Sequence, residues 1–348
     1  MNVDVRTETV SRSTDVMAAL PRLRFAQLPT PLEEARRLSE VLGGPRILFK
    51  RDDLTGAALG GNKVRKLEYV IGRAIAEGMD SLVVCGGFQS NLARIAAAIG
   101  NRLGLQVALV LGGEPGESRE AVGNMLLDRL YGATVHTVDT SPRWDFGTAV
   151  EEVADELRRQ GRRPFVVPLG GSGPEGMAGY VNATEELLVQ LADLKLRPSR
   201  LYVAIGSGGT YSGLMLGALN QDAPYQVVGI SVSRRRDYLL EQIPTAAASA
   251  AETLGLEIFP RAADLCVDDG YIGPGYGVMT EGCRKAISLV ARTEGVLLDP
   301  VYSGKAMHGL IDHIQSGQIA ANETVIFLHT GGWPALFAYD PAALGVAT

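Results

Sequence analysis

Gly60-Gly61-Asn62-Lys63-Val64-Arg65-Lys66 sets a lysine directly behind two glycines and an asparagine, where a strand-like run at 47–50 gives way to a helical pattern. Glycines let backbone approach a bound group closely. The start of a helix is electropositive and Lys66 adds a second cation, so the ammonium form of Lys63 is disfavoured. A lysine treated this way becomes a nucleophile able to form a Schiff base. The same residues also read as a loop followed by a basic first helical turn, and the motif alone does not choose between the two.

Gly206-Ser207-Gly208-Gly209-Thr210 leaves a buried strand and opens a helix. Consecutive backbone N–H groups at a helix start, with Ser207 and Thr210 as added hydroxyl donors, can hold a phosphate; an ordinary strand-to-helix turn is the plainer reading. The spacing is not Gly-x-Gly-x-x-Gly and no Gly-Lys-Ser/Thr occurs, so the dinucleotide and nucleotide fingerprints fail. Gly86-Gly87-Phe88-Gln89-Ser90-Asn91 also joins a strand to a helix. Ser90 or Asn91 is a good N-cap there, or the turn holds a small carboxylate. One turn for a cofactor phosphate, one for a substrate carboxylate and a lysine for an aldehyde suit an amino-acid enzyme using pyridoxal phosphate. Asp299-Pro300-Val301-Tyr302-Ser303-Gly304-Lys305 and His329-Thr330-Gly331-Gly332 are loops after apolar strands, where α/β sites are built. No Ser-His-Asp, His-Glu-x-x-His or metal-ligand spacing is present.

Such turns need alternating strands and helices. Strands are expected at 47–50, 81–85, 106–111, 134–138, 164–167, 201–205, 226–232 and 324–328, with helical patterns between them. Pro29-Thr30-Pro31 reads as a rigid bend followed by a helix through Leu42, stopped by Gly43-Gly44, and the alanines at 246–251 read as helix surface. This rhythm predicts doubly wound parallel α/β sheets. With 46% hydrophobic and 21% charged residues and 42 glycines among 348, the chain suits one large or two moderate domains with tight turns. Residues 1–18 are polar and read as a flexible tail. Net charge is −6, and the densest basic run, Arg234-Arg235-Arg236, reads as a solvated loop, so no nucleic-acid partner is expected. No uncharged apolar stretch approaches the ~20 residues that span a bilayer. Asp4, Arg6 and Glu8 argue against a secretory signal. Cys85, Cys266 and Cys283 are too few and too scattered for a disulfide framework. A cytoplasmic protein is expected.

In order along the chain, Gly60-Gly61-Asn62-Lys63-x-Arg65-Lys66-Leu67-Glu68, Gly86-Gly87-x-Gln89-Ser90-Asn91, Gly206-Ser207-Gly208-Gly209-Thr210 and Asp299-Pro300-Val301-Tyr302-x-Gly304-Lys305 resemble the 1-aminocyclopropane-1-carboxylate deaminase/D-cysteine desulfhydrase family. The resemblance runs from about Leu28 to Asp340. It implies a tryptophan synthase β-like α/β fold (pyridoxal-phosphate fold type II) of two parallel-sheet domains. The larger would comprise 19–65 and 164–348, and the smaller, 66–163, would be inserted in it. It also implies a homodimer, pyridoxal 5'-phosphate as cofactor and a small amino acid as substrate. Lys63 would carry the cofactor and act as base. Asn91 would bond the phenolic oxygen, and Gly206, Ser207, Gly208, Gly209 and Thr210 would hold the phosphate with Lys66. Ser303 and Thr330 would also face the cofactor. Gln89, Ser90, Asn91, Tyr276 and Tyr302 would face the substrate, with Ser90 or Tyr302 relaying protons.

Ser303 and Thr330 stand where cyclopropane deaminases carry Glu and Leu, which resembles the D-cysteine desulfhydrase branch. A hydroxyl opposite the pyridine nitrogen leaves the ring neutral, and a neutral ring suffices for β-elimination with a good leaving group. The expected reaction is α,β-elimination from a small amino acid, D-cysteine first, giving pyruvate, ammonia and sulfide. Alternatives are the cyclopropane deaminase, an L-cysteate sulfo-lyase, and elimination or replacement on an S-substituted cysteine in a biosynthetic pathway. A non-catalytic amino-acid-binding relative is a further one, against which the retained Lys63, Asn91 and Tyr302 count. The chain departs from the family at Phe88, Gly173, Tyr211 and Trp333, where bulk is added or an amide lost, and these departures bear on the substrate.

Overall fold

The computed structural model describes residues 12–113, 120–140 and 145–345. Its strands are β1 (Leu32–Glu34), β2 (Arg46–Lys50), β3 (Ser81–Gly87), β4 (Gln106–Gly113), β5 (Thr134–Asp139), β6 (Pro164–Val167), β7 (Arg200–Ile205), β8 (Gln226–Ser231), β9 (Cys266–Asp268) and β10 (Thr324–Leu328). They form two sheets, ordered β1-β2-β10-β7-β8-β9 and β5-β4-β3-β6. All pairings are parallel except that of β1, which runs antiparallel to β2 at an edge. Helices cover the sheets, so central strands are buried on both faces and read as unbroken apolar runs; β3 is buried along its whole length. The strands of the smaller sheet lie between β2 and β7 in the chain, which gives the two parallel-sheet α/β domains expected.

Several expectations shift. β6 pairs with β3, Ser81 opposite Pro164 through Val84 opposite Val167. The segment 164–167 therefore sits in the smaller sheet rather than beyond a boundary at 163, because ladder pairing leaves no mark on composition. Residues 12–18, expected in a flexible tail, fall in a helix, Arg12–Ala19, whose Met17 joins the larger core; residues 1–11 lie outside the described residues. The segment after Pro31 is first a strand, and its helix begins only at Arg36. Hydrogen bonding to β2 outweighs the helical propensity of Leu32-Glu33-Glu34. The alanine-rich stretch lies in helix Arg236–Thr253, but Ala247, Ala250 and Ala251 are buried packing residues. The three-residue β9 is too short to show a period.

The lysine turn opens helix Asn62–Ala76, which is pinned by a buried ionic cluster. Arg65 donates from Nε and Nη2 to the two carboxylate oxygens of Asp52, at 2.9 Å each, and from Nη1 and Nη2 to Glu186, also at 2.9 Å. Thr30 Oγ1 (2.9 Å) and Tyr180 OH (2.6 Å) complete the donors to Asp52, and Lys50 pairs with Glu186. Among the described residues no helix is long and apolar enough to cross a membrane, and the three cysteines are free.

Candidate active site

The turns that follow β3, β7, β8 and β10 meet at one cavity of about 490 Å³, at the C-terminal ends of the strands where open parallel sheets place ligands. Lys63, Ser90 and Asn91 line it, and so do Gly206, Ser207, Gly208 and Thr210. Tyr276, Tyr302 and Thr330 complete the expected residues on its wall. Lys66, Gly209, Gln89 and Ser303 are not among its lining residues.

Lys63 Nζ donates to Gly170 O at 3.1 Å, and Lys66 Nζ donates to the same oxygen at 2.7 Å. Burial brings the Lys63 amine down to about 8. Lys66 is held well below the ordinary lysine range by its own burial and then by the charge of Lys63. The sequence argument had the repulsion acting on Lys63; in the structure it bears on the deeper Lys66, while burial alone depresses Lys63.

The phosphate turn fits a dianion. Gly208 has φ +89°, and a Cβ on Gly209 would stand 2.7 Å from both Lys66 Nζ and Ser172 Oγ. Only glycine leaves room for the buried amine beneath the start of helix Gly209–Asn220. Lys66 has no carboxylate partner among the described residues, so a phosphate over this turn would supply the counter-charge that a buried ammonium needs. Asn62 Nδ2 donates to Thr210 Oγ1 at 2.9 Å, which ties the lysine turn to the phosphate turn. Ser207 and Ser172 hydroxyls meet at 2.7 Å. The residues present thus fit pyridoxal phosphate, which Lys63 would hold by its aldehyde and residues 206–210 by its phosphate.

On the β3 side, Ser90 Oγ accepts from Ala93 N at 3.2 Å and caps helix Asn91–Arg102, leaving its proton free to donate. A Cβ on Gly86 would lie 2.6 Å from that hydroxyl, so the close approach requires glycine. Asn91 Oδ1 accepts from Arg94 Nη1 and Asn124 Nδ2, both at 2.9 Å. With its oxygen taken, the amide offers a donor, as bonding to a phenolic oxygen requires. Arg94 also donates to Gly60 O at 2.8 Å and so braces the lysine turn. Gln89, expected to face the substrate, instead accepts from Asn124 N (2.8 Å) and donates to Val122 O (3.1 Å). It fastens helix Gly123–Leu130.

Ser303 Oγ donates to Asp299 Oδ1 at 2.6 Å and accepts from Asp299 N at 2.8 Å, closing its own turn behind the wall. The Asp299 carboxylate also takes the N–H groups of Val301 (2.9 Å) and Tyr302 (2.8 Å) and thereby aims Tyr302. The hydroxyls of Tyr302 and Tyr276 meet at 2.6 Å. Burial pushes Tyr302 up to about 12, partly offset by that hydrogen bond, so it stays protonated at neutral pH. Lys305 Nζ holds the Tyr276 loop through Ile272 O (2.6 Å) and Gly275 O (2.9 Å). Of the departures from the family, only Tyr211 reaches the wall. Phe88 joins the smaller core, Trp333 packs edge-on to Phe337, and Gly173 caps helix Pro174–Asp193.

Sequence reasoning did not assign Asn62, Gly170, Arg94, Asn124 or Arg234. Asn62 lay inside the lysine motif already singled out, Gly170 lies three residues before the departure at Gly173, and Arg94 follows Asn91 at helical spacing, a usable signal. Asn124 and Arg234 carried none.

Asp128, on helix Gly123–Leu130, is fully buried, and neither of its carboxylate oxygens has a hydrogen-bond partner among the described residues; Arg94 Nε is also unpartnered. Burial raises the Asp128 carboxyl to about 7, only partly countered by Arg94. A carboxyl raised in the fold binds a proton that the unfolded chain has released, so its contribution falls as pH rises from about 4 to about 7 and is level above that. Asp128→Asn is expected to match the parent near pH 4 and to exceed it by up to ~4 kcal/mol at pH 8. Denaturant titrations at the two pH values check this; equal differences at both contradict it.

Two parallel sheets that bring a depressed lysine amine and a glycine-lined dianion cradle into one cavity define a pyridoxal-phosphate enzyme of amino-acid chemistry. The family model for the pyridoxal-phosphate dependent enzymes matches residues 23–331, and the chain belongs to that family. A D-cysteine desulfhydrase of Salmonella typhimurium is 40% identical over 93% of this chain and 98% of its own length. A Pyrococcus abyssi protein provisionally named 1-aminocyclopropane-1-carboxylate deaminase is 38% identical over 94% of this chain and 97% of its own. A solved homologue of that deaminase superposes with a TM-score of 0.85 at 36% identity, covering 96% of this chain and 99% of the other. The chain is thus a pyridoxal-phosphate-dependent lyase of the cyclopropane deaminase/D-cysteine desulfhydrase kind.

Proposed function

We propose that the enzyme catalyses α,β-elimination from a small amino acid, D-cysteine fitting best, with release of pyruvate, ammonia and hydrogen sulfide. The observation that carries this reading is the absence of any aspartate or glutamate among the described residues that line the cavity. Without a carboxylate at its nitrogen a pyridine ring stays neutral and draws electrons weakly. That is enough to expel a good leaving group from Cβ and unfavourable for opening a cyclopropane. Ser303 and Thr330, in place of the Glu and Leu of cyclopropane deaminases, support the same choice.

Bound pyridoxal phosphate supplies the electron sink that makes the substrate Cα–H acidic. Lys63, brought down to about 8, is partly neutral at physiological pH and takes the Cα proton as general base. Ser90 and the turn at 86–91 hold the carboxylate. Tyr302, protonated and fixed by Tyr276 and Asp299, donates toward the departing sulfur. The released aminoacrylate takes up water to give pyruvate and ammonia.

The test is a comparison of two rates. The yellow protein should form pyruvate and sulfide in equal amounts from D-cysteine, faster than it forms 2-oxobutanoate from 1-aminocyclopropane-1-carboxylate. The opposite order overturns the reading.

A further inference from the structure

The three arginines at 234–236, expected to form a solvated loop, separate in the structure. Arg235 Nε pairs with Asp269 at 3.1 Å. Arg236 donates its N–H to Asp269 (2.9 Å) and its Nε to Val267 O (3.2 Å) as it opens helix Arg236–Thr253. Of the three, Arg234 alone lines the cavity, which Ser233 and Tyr276 also line, with much of its surface still in solvent.

Its position is fixed at both ends. Ser231 Oγ accepts the Arg234 N–H at 3.2 Å and donates to the Arg234 carbonyl at 2.6 Å. The guanidinium lies 5.3 Å from the centroid of the Tyr238 ring, a stacking that orders the fork without neutralising it. No carboxylate pairs with Arg234 among the described residues, and none lines the cavity. The other anions of the reaction are already provided for: the cofactor phosphate by residues 206–210 over Lys66, and the substrate carboxylate by the turn at 86–91. Lys63 is occupied by the cofactor. A fixed, solvent-reaching, unneutralised arginine at the edge of a ligand cavity is left over.

We propose that Arg234 is a subsite for a second negative charge on the substrate, at the far end of its β-substituent: a cysteine thioether ending in a carboxylate or sulfonate. This rests on the elimination reading above. The planar guanidinium takes such groups through paired, charge-assisted hydrogen bonds.

S-carboxymethylcysteine and S-carbamoylmethylcysteine are near-isosteric and differ by one charge. Pyruvate formation from both, in D and L forms, is measured for the holoenzyme and for Arg234→Gln and Arg234→Lys. The parent should prefer the acid by about tenfold to a hundredfold in kcat/KM, chiefly through KM. Arg234→Gln should lose that preference and Arg234→Lys keep part of it. Equal values for acid and amide in the parent, a Gln variant that slows both alike, or one that retains pyridoxal phosphate poorly would each overturn the proposal. Elimination from D-cysteine but from neither thioether overturns it too and spares the elimination reading. Where no substrate is eliminated, that reading fails by itself. Titration of the visible cofactor band with the two thioethers still decides on Arg234, by the presence or absence of tighter binding of the acid.

Discussion

Lys63→Ala is expected to lower turnover on the order of 10³-fold or more, because on the proposed mechanism one substitution removes both the cofactor's attachment and the general base. Borohydride should then fix no colour on the peptide containing residue 63. Lys66 offers no substitute. Its amine is confined beneath Gly209 by Gly170 O and by Ser172 Oγ, at 2.7 and 3.4 Å. The parent has a matching pH signature. Only the neutral amine attacks an aldehyde, and burial puts the Lys63 amine at about 8 against an ordinary 10.5. The rate at which cofactor-free protein takes up pyridoxal phosphate should rise with pH to about 8 and level off above it. A rate still climbing tenfold per unit at pH 10 would falsify this assignment, as would a Lys63→Ala protein with near-parent turnover.

Arg65→Met should be the most damaging substitution for stability, costing about 3–5 kcal/mol. Arg65 is buried, as is Asp52, which accepts four hydrogen bonds, two of them from Arg65. Removing the guanidinium strands one carboxylate at zero exposure and leaves Glu186 with Lys50 as its one cation, beside the N–H of Thr30. Burial pushes the Asp52 carboxyl up, but Arg65, joined by Lys50 and the Tyr180 hydroxyl, more than offsets it and holds it below the usual carboxylate range. A carboxyl lowered in the fold adds stability above its unfolded pKa, and that stability is lost as pH falls through the folded value. The loss caused by Arg65→Met should therefore shrink toward acid pH. In the double variant Arg65→Met/Asp52→Leu both charges are gone, and much of the stability should return. Denaturation midpoints of cofactor-free protein test this. A double variant as unstable as the single one would mean that the cluster acts through shape rather than charge.

Much of the architecture was legible in the chain. Eight of the strands were legible, seven of them as apolar runs punctuated by turns, and buried parallel strands leave that trace because both faces need apolar residues; the eighth, β5, is a largely exposed edge strand. β1 was hidden because Leu32-Glu33-Glu34 has a helix-former's composition and owes its conformation to pairing with β2. The placement of β6 was hidden for the same reason. Within the site, Lys63, Asn91 and the turn at 206–210 could be read because their glycines and small donors are contiguous. Gln89 and Ser303 look like site residues on the same grounds, yet each spends its polar atoms on a neighbouring segment, Gln89 on Asn124 and Ser303 on Asp299.

The sequence by itself determined the chemistry available: an amine behind glycines, turns rich in backbone donors, no metal set and no nucleotide fingerprint. Those are local properties, set by residue type and spacing of a few positions. Tertiary structure decided which groups share a space and which are shut off from water. It placed Lys63 and Lys66 on one carbonyl oxygen, set Arg234 apart from its neighbours on the cavity wall and buried Asp128 with no hydrogen-bond partner among the described residues. Desolvation and charge pairing depend on what surrounds a group in three dimensions, and here the surroundings come from turns more than a hundred residues apart.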